Sequence, residues 1–465
     1  MPDNSTLDRR ALLKLGAVAG AGMALPTMAS AAETKPAPAS AHLLIRHAVV
    51  LTMDPNLGEL PDADVRINDG QIIAVGKDLA SEGAQVIDAT GMILIPGLVD
   101  AHWHLWNSFL RSSAPAPQGQ PFFKSQLDIS KRFTPELSAL GVRLGLAEAV
   151  NSGITTVNNW AHNLRTPAFA QAELQAMLDS GLRGRLWYGY AQDLAATAPV
   201  DYADILRVQA QLKGTGRFDL GMAIRGPERT EEAIWEPEFA FAKAHGLPIS
   251  THIAVTPQMQ KKKAVQQLAK QGVLNASVQL VHATNADAED LRTIAHSGAS
   301  VCLTPLTEMR VGYGLAPVAA LHEAKIPITL GIDTLVLSGN ANVFMVMQTL
   351  LNLATGASGN EQLLTARDVL YWATQGGADA MGLGALIGSV TPGKRADLTL
   401  IDSRGLGMLP VLDPYASVVQ SATPSAVDTV IADGRILKQR GQVVGVDTQS
   451  LARAVVQGLA TLQRR

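Results

Sequence analysis

The sequence contains a single cysteine, Cys302, among its 465 residues. One thiol cannot form an internal disulfide, and it also excludes a metal cluster built from several cysteines. Any metal site in this chain must therefore use histidine and carboxylate ligands. Cys302 itself lies in an apolar stretch, and we expect it in the core.

The chain also lacks an excess of charge. Its formal net charge is only -3, which leaves no basic stripe for nucleic acid, so we expect a small-molecule substrate and no nucleic-acid partner. Hydrophobic residues make up 47% of the sequence and the mean hydropathy is +0.13, which is enough for a large core. No segment after the N-terminal region has transmembrane length, so stable membrane insertion is not expected once a signal is removed.

The N-terminal region has the features of an export signal. The run from Asp8 to Lys14, DRRALLK, is a twin-arginine pattern, and a short apolar stretch leads from it to the small residues ASA at 29–31. The apolar stretch is short for a membrane span, and Pro26 interrupts it. We interpret residues 1–31 as a twin-arginine signal peptide and 32–41 as a linker, and we expect a periplasmic or secreted protein.

Apolar patterning divides the remaining chain. Residues 42–95 and 387–446 alternate like strands, and an Asp-Gly turn at 69–70 indicates a hairpin. Between them, residues 96–386 contain eight short apolar runs alternating with helical stretches, which is typical of β/α units. We therefore predict an α/β protein with a (β/α)8 TIM-type barrel, a small β-sandwich domain composed of both chain ends, and a C-terminal helix over 447–465.

Histidine and aspartate side chains recur where the predicted barrel strands end. His102 and His104 leave the first strand on the same side, because alternate residues of a strand share a face. His252, His282 and Asp333 end the fifth, sixth and eighth strands. Each could be an ordinary structural residue, and Asp333 also suits a helix N-cap. Since the strand ends of a barrel meet at one mouth, the set together predicts a metal site.

With these residues, the chain resembles the amidohydrolase superfamily over nearly all of its predicted mature length. The marks are the runs IPGLVDAHWH at 95–104, LGID at 330–333 and VTPGKRADL at 390–398. The resemblance implies a distorted barrel with a flanking composite sandwich. It implies that His102, His104 and His252 bind a metal, that Asp333 is a fourth ligand that also handles the proton, and that His282 lies near the metal-bound water or a substrate oxygen.

The resemblance also indicates how many metal ions are bound. Members with two ions bridge them with a lysine on the fourth strand, and here that strand, residues 220–227, contains none. We therefore expect one divalent ion, as in the branch of cytosine deaminases and triazine hydrolases. Zinc is the first candidate, and nitrogen and oxygen ligands also accept iron or manganese. Family resemblance further predicts a homo-oligomer.

One position departs from the deaminase pattern. Deaminases of this branch carry a glutamate three residues after the fifth-strand histidine, where it protonates a ring nitrogen; here the residue is Val255. Glu308, just after the seventh strand, is a candidate substitute as a catalytic acid. A loop ion pair between Glu308 and Arg310, or a capping role, is the alternative.

Four further residues are candidates for substrate binding. His162 follows the second strand, and Arg225 ends the fourth, where it could bind a carboxylate or carbonyl. Trp103 and Trp106 could form an aromatic wall for a flat ligand. Hydrogen bonding within loops, a salt bridge at the strand end and barrel packing are the respective alternatives.

These observations predict a hydrolase acting on a non-peptide carbon–nitrogen bond of a cyclic or aromatic small molecule, through a metal-activated water with Asp333 as proton shuttle. Ring opening of a lactam or amide, or loss of chloride or an alkylamine from a heterocycle, is a second hypothesis. It needs less ring-nitrogen protonation and so fits Val255. An exported small-molecule binding protein without turnover is a third, and the intact ligand set argues against it.

Overall fold

The computed structural model describes residues 42–114 and 121–464. The predicted signal peptide and linker lie outside these residues. The described residues belong to one compact unit. In this part of the chain, no helix combines the length and the apolar character needed to cross a membrane.

The first layer is a mixed sheet of nine strands drawn from both ends of the chain. Its order is β17-β16-β15-β14-β5-β1-β2-β3, with β4 paired to β1. The two chain ends meet where β5 and β14 pair antiparallel, with Leu398 opposite Pro96 and Asp402 opposite Met92. The strands are β1 (His42–Leu51), β2 (Glu59–Asn68), β3 (Gln71–Gly76), β4 (Gln85–Asp88), β5 (Met92–Pro96), β14 (Leu398–Asp402), β15 (Val427–Ala432), β16 (Arg435–Gln439) and β17 (Gln442–Val443).

The second sheet holds eight parallel strands in chain order, β6 to β13. A parallel bridge between Trp103 and Asp333 joins its first strand to the turn after its last, which nearly closes a barrel. The strands are β6 (Leu98–Trp103), β7 (Ile154–Ala161), β8 (Arg183–Tyr188), β9 (Phe218–Ile224), β10 (Ile249–Ile253), β11 (Val278–His282), β12 (Ser300–Leu303) and β13 (Ile328–Leu330). These strands are almost entirely buried, as expected for parallel strands covered by helices.

In the described part of the chain, sixteen α-helices lie mainly between and around the barrel strands. Several begin with a sequence-encoded cap: Thr134 accepts the Leu137 N–H ahead of a proline, and Asp287 forms a capping box with Asp290. The helices are α1 (Phe122–Ser130), α2 (Pro135–Asn151), α3 (Pro167–Asp179), α4 (Tyr202–Leu212), α5 (Glu232–Ala244), α6 (Pro257–Gln260), α7 (Ala264–Lys270), α8 (Ala288–Ser297), α9 (Pro305–Val311), α10 (Val318–Glu323), α11 (Leu335–Ser338), α12 (Val343–Ser358), α13 (Ala366–Trp372), α14 (Gln375–Ala380), α15 (Pro414–Ala416) and α16 (Thr448–Arg464).

The two sheets are joined by a shared apolar core and by a buried ionic network. The larger core joins barrel strands to their helices, and a smaller core lies against β1, β2 and β5. Arg183 on β8 donates to Asp397 at 3.0 Å and to Asp433 at 2.8 Å, and so ties the barrel to the nine-stranded sheet. The predicted fold class, a TIM-type barrel with a β domain built from both chain ends, is confirmed.

Candidate metal centre

The paired histidines lie at the end of the first barrel strand. His102 is the fifth residue of β6 and His104 follows the strand, and their ring centroids are 4.7 Å apart. Trp103 lies between them and is fully buried. The alternation of side chains along β6 therefore places both imidazoles on one side, as the sequence predicts.

Asp333 follows the last barrel strand, β13, and lies at the same mouth of the barrel as the two histidines. Its N–H donates to the His102 carbonyl at 2.8 Å, and its own carbonyl accepts the His104 N–H at 2.6 Å. These bonds hold Asp333 at φ +63°, a left-handed conformation that is costly for a residue with a Cβ. The cap of α11 is Thr334, not Asp333, so the N-cap alternative does not apply to this carboxylate.

His102, His104, His252 and Asp333 each offer one ligand atom, and these atoms all lie within 4.8 Å of one another. The Asp333 Oδ1 atom is 3.2 Å from His102 Nε2 and 3.1 Å from His104 Nε2. His252 is the half-buried member of the group, and its ring centroid is 4.9 Å from that of His102. Three imidazoles and one carboxylate around a common point form a ligand set for one divalent ion.

Protonation and hydrogen bonding fit this ligand set. His104 Nδ1 lies 2.9 Å from the Trp160 carbonyl, so it donates there and leaves Nε2 as a free lone pair. Burial lowers the pKa of His102 to about 3 and lowers the pKa of His252 well below its usual value, so both rings are neutral, as ligands must be. Burial opposes ionisation of Asp333, but the neighbouring imidazoles of His102 and His104 outweigh it and hold its pKa well below the usual range.

Asp100 positions the two strand ends that carry these ligands. It is buried, and one of its carboxylate oxygens accepts the His102 N–H at 3.1 Å while the other accepts the Ile332 N–H at 2.8 Å. Burial raises the pKa of Asp100 well above its usual value. This residue occurs in the IPGLVDAHWH run, and the structure shows why an aspartate stands there: it connects β6 to the turn that bears Asp333.

His282 lies beside the cluster, and Glu308 lies behind it. The His282 ring centroid is 5.3 Å from that of His252. Its Nδ1 is 3.2 Å from Glu308 Oε1, which also accepts the Thr304 N–H at 2.8 Å. Glu308 is fully buried and does not line the cavity, so the prediction that it faces the barrel mouth as a catalytic acid needs correction: its carboxylate acts on His282 and on the start of α9, rather than on Arg310.

The cluster forms the floor of a cavity of about 360 Å³, within the range of small-molecule sites. The structure brings four predicted residues outside the ligand set close to it: His282 and His162 line the cavity, as does Arg225, while Glu308 contacts His282 from behind. The remaining lining residues are Asn107, Phe122, Phe123, Gln126, Leu127, Tyr190, Gln192, Leu194, Ala196, Arg229, Thr307, Val311, Tyr313 and Thr334.

His162 lies against a metal-site ring. Its centroid is 3.8 Å from that of His104. Its Nδ1 accepts the Trp106 Nε1–H at 3.1 Å, because an indole nitrogen can only donate, so the ring proton sits on Nε2. Its Nε2–H then donates to the Gln192 side-chain amide, 2.8 Å away, whose oxygen takes the position assigned to its nitrogen. Both nitrogens are thus engaged by protein groups, and His162 presents its ring to the cavity while supporting His104.

Arg225 reaches the cavity but uses its guanidinium elsewhere. It donates to the carbonyls of Leu194 at 3.1 Å and Ala195 at 2.7 Å, and also to that of Ala198. Its Cζ lies 5.2 Å from the centre of the Tyr190 ring. The guanidinium therefore holds the loop after β8 in place, which corrects both the expectation that it binds a substrate carboxylate or carbonyl and the alternative of a strand-end salt bridge.

The two predicted tryptophans do not form a ligand wall. Trp103 and Trp106 are both fully buried, and neither lines the cavity. Trp106 packs edge-on against Phe133 with centroids 4.8 Å apart. Barrel packing, the alternative interpretation, therefore applies to both. The aromatic rings that do line the cavity are those of Phe122, Phe123, Tyr190 and Tyr313.

Several lining residues escaped the sequence analysis. Phe122 and Phe123 lie on α1, in a Pro-, Ser- and Gln-rich segment without a motif. Arg229 and Tyr313 lie in the stretches that follow β9 and β12. A strand-end position was the available signal for these two, since loops after barrel strands form the mouth.

Val255 is buried, and no carboxyl group takes its place at the cavity surface among the residues that the structure describes. The carboxyl group of Glu228 contacts the backbone next to Val255, where it accepts the Ala254 N–H at 2.6 Å. Glu228 is buried and lies outside the cavity lining. No described residue therefore supplies, at the cavity surface, the carboxyl group that the deaminase pattern places at position 255.

Comparison with known proteins agrees with this architecture. Residues 93–437 match the model of the Amidohydrolase family. The chain is 28% identical over 429 residues to the 5-methylthioadenosine/S-adenosylhomocysteine deaminase of Acetivibrio thermocellus, covering 88% of this chain and 97% of the relative. It is 27% identical to the 5'-deoxyadenosine deaminase of Methanosarcina mazei, covering 88% and 96%.

Solved structures share the fold. A zinc-bound adenosine deaminase from Xanthomonas campestris superposes with a TM-score of 0.82 at 23% identity, covering 91% of this chain and 99% of that one. Atrazine chlorohydrolase TrzN from Arthrobacter aurescens, complexed with zinc, superposes with a TM-score of 0.79 at 24% identity, covering 90% and 100%. The ligand set and the family match together show that this chain belongs to the amidohydrolase family and is an enzyme with a site for one divalent metal ion.

Proposed function

We propose that the protein is a metal-dependent hydrolase that cleaves a non-peptide carbon–nitrogen bond in a heterocyclic small molecule. The observation that carries the proposal is the convergence of His102, His104, His252 and Asp333 on the floor of a cavity lined by four aromatic rings. Relatives named as adenosine-type deaminases and a structural neighbour named as a triazine hydrolase act on nitrogen heterocycles, which supports this substrate class.

The chain's own residues then divide the proton transfers. A divalent ion held by His102, His104, His252 and Asp333 would supply hydroxide at neutral pH, because such an ion lowers the pKa of bound water from about 15.7 to near 7. Asp333 accepts the proton that water loses and returns it to the leaving nitrogen, since its carboxylate is ionised and lies at the cluster. The surrounding cavity holds the ring in place for the attack.

His282, supported by Glu308, is a second residue that handles protons in this proposal, beside Asp333. Glu308 accepts the Nδ1–H of His282, which fixes the tautomer and leaves Nε2 as the free ring nitrogen. A carboxylate in this position stabilises the imidazolium form if the ring takes up a proton. His282 thereby offers a proton carrier beside the substrate, in a site where Val255 cannot protonate a ring nitrogen.

A second candidate reaction follows from Val255. An apolar side chain in place of the deaminase glutamate favours reactions that need less ring protonation. These are opening of a cyclic amide, or displacement of chloride or an alkylamine from a heterocycle. Assays of ammonia release, ring opening and chloride release on one panel of amino-heterocycles, chloro-heterocycles and cyclic amides separate the two candidates.

The main test combines metal analysis with Asp333→Asn. We expect about one equivalent of a divalent metal in the purified protein, and zinc to restore activity after chelation. Asp333→Asn should lower kcat by about 10²- to 10⁴-fold while most of the metal stays bound, because three histidines remain. Asp62→Asn, an exposed change on the nine-stranded sheet, is the control. Activity that survives chelation, or an active Asp333→Asn variant, would refute the proposal.

A further inference from the structure

Arg229, an arginine in the cavity, has no strong partner among the residues that the structure describes. Arg229 follows β9 and lines the cavity next to the metal cluster. Its Nη1 is 3.5 Å from the His252 carbonyl and its Nη2 is 3.9 Å from the Met259 sulfur, which are distances at the limit of hydrogen bonding. No carboxylate oxygen of the described residues lies within 4.0 Å of its guanidinium.

Arg225 is an arginine of the same cavity whose guanidinium is used for hydrogen bonds within the protein. Its guanidinium donates to three backbone carbonyls of the loop after β8. Arg229 makes no comparable set of bonds. A guanidinium offers a planar fork of donors that matches a carboxylate, so unused donors facing a cavity are suited to a ligand.

The charges around the cavity leave this cation unbalanced. Among the described lining residues the one carboxylate is that of Asp333, which is a member of the metal ligand set and does not pair with Arg229. Glu228 adjoins Arg229 in sequence but turns its carboxyl group to the Ala254 N–H, and burial raises its pKa. Arg229 thus presents to the cavity a guanidinium that no described carboxylate pairs with, which suits an anionic group on a ligand.

The same cavity offers a surface for a flat ring. Tyr313 stacks on Phe123 with centroids 6.3 Å apart and planes at 23°, and it meets His282 edge-on at 5.2 Å. Tyr190 lines the cavity and packs edge-on against Trp160. We propose that the substrate is a nitrogen heterocycle carrying a carboxylate, and that Arg229 binds this carboxylate while the reacting carbon faces the metal cluster. This inference rests on the proposed function.

The test uses matched pairs of acid and amide. The probes are 9-(carboxymethyl)adenine with 9-(carbamoylmethyl)adenine, and hydantoin-5-acetic acid with its acetamide. For the zinc-loaded full chain we expect kcat/KM for each acid to exceed that for its amide by at least about tenfold. Where a probe is not turned over, the same ratio is measured as Kd by calorimetry on the Asp333→Asn variant. Arg229→Gln should remove that preference, with a loss of about 30-fold or more for the acids, and leave the amides within a few-fold.

Two variants control for general effects. Arg310→Gln removes the same charge from an exposed position on α9, outside the cavity lining, and should keep the preference. Arg229→Lys keeps the charge without the fork and should retain part of it. Equal metal content in all variants shows that the site is intact.

The outcomes separate the two proposals. Turnover of the panel without a preference for acids, or a preference that survives Arg229→Gln, would overturn the role of Arg229 and leave the hydrolase intact. Tight binding of the acids that depends on Arg229, with no hydrolysis of either ring, would support Arg229 and count against the proposed reaction. Equal binding of both members of each pair would overturn the carboxylate inference.

Discussion

Glu308 provides the sharpest test of how the site is supported. Its carboxylate is fully buried and accepts both the Thr304 N–H and the Nδ1–H of His282. Replacing Glu308 with alanine leaves the Thr304 N–H without an acceptor and leaves the His282 Nδ1–H only the Thr304 hydroxyl, 3.1 Å away; each buried donor that loses its acceptor costs about 1–3 kcal/mol. We therefore expect Glu308→Ala to lower the free energy of unfolding by about 2–5 kcal/mol.

Glu308→Gln separates stability from function. The glutamine keeps an acceptor oxygen for both donors, so we expect a loss of stability below about 1.5 kcal/mol. It removes the negative charge that stabilises a protonated His282, so kcat should fall by about tenfold or more while bound metal stays unchanged. Urea unfolding measures the stabilities, and steady-state kinetics with metal analysis measure the rest.

The control is Glu361→Ala, an exposed change in the turn after α12, which should alter stability by less than about 0.5 kcal/mol. If Glu308→Ala were no less stable than this control, the two contacts would carry no weight in folding. If Glu308→Gln kept the wild-type kcat, the carboxylate would have no part in proton handling, and Glu308 would be a packing residue.

Two further variants probe the barrel. In Gly331→Ala the added Cβ would lie 2.7 Å from the carbonyl oxygen of His102, a metal-site residue. We therefore expect about a 10- to 100-fold loss of metal affinity, measured by competition with a chelator. Unchanged affinity would contradict this close approach. Burial raises the pKa of Glu173 from 4.5 to about 7, so its contribution to stability is complete below pH 4.5 and is lost as the pH rises through 7. Glu173→Gln should gain about 2–3 kcal/mol relative to the wild type from about pH 5 to about pH 8 in urea unfolding, and a pH-independent difference would contradict this.

The metal cluster could be predicted because its signal is local. A short apolar run followed by a polar side chain marks the end of a barrel strand, and all such ends meet at one mouth. His102, His104, His252 and Asp333 each occupy such a position, and the structure brings them together. Prediction needed only the order of the strands, which the alternation of strands and helices provides.

The partners of the strand-end residues could not be predicted in the same way. Glu308 and Arg225 both occupy positions near the mouth, but one side chain points behind His282 and the other toward backbone carbonyls. A change of one rotamer or one loop path would reverse either outcome. Trp103 and Trp106 show the same limit, since their packing against barrel elements depends on residues distant in the sequence.

The sequence by itself determined the strand order, the ligand types and the absence of a carboxyl group at Val255, because residue identity and hydrophobic periodicity are properties of short stretches. Only the tertiary structure decided which polar groups are used up by neighbours and which remain for a ligand. Arg225 and Arg229 differ in this respect alone: the carbonyls of a distant loop reach the first and leave the second facing the cavity.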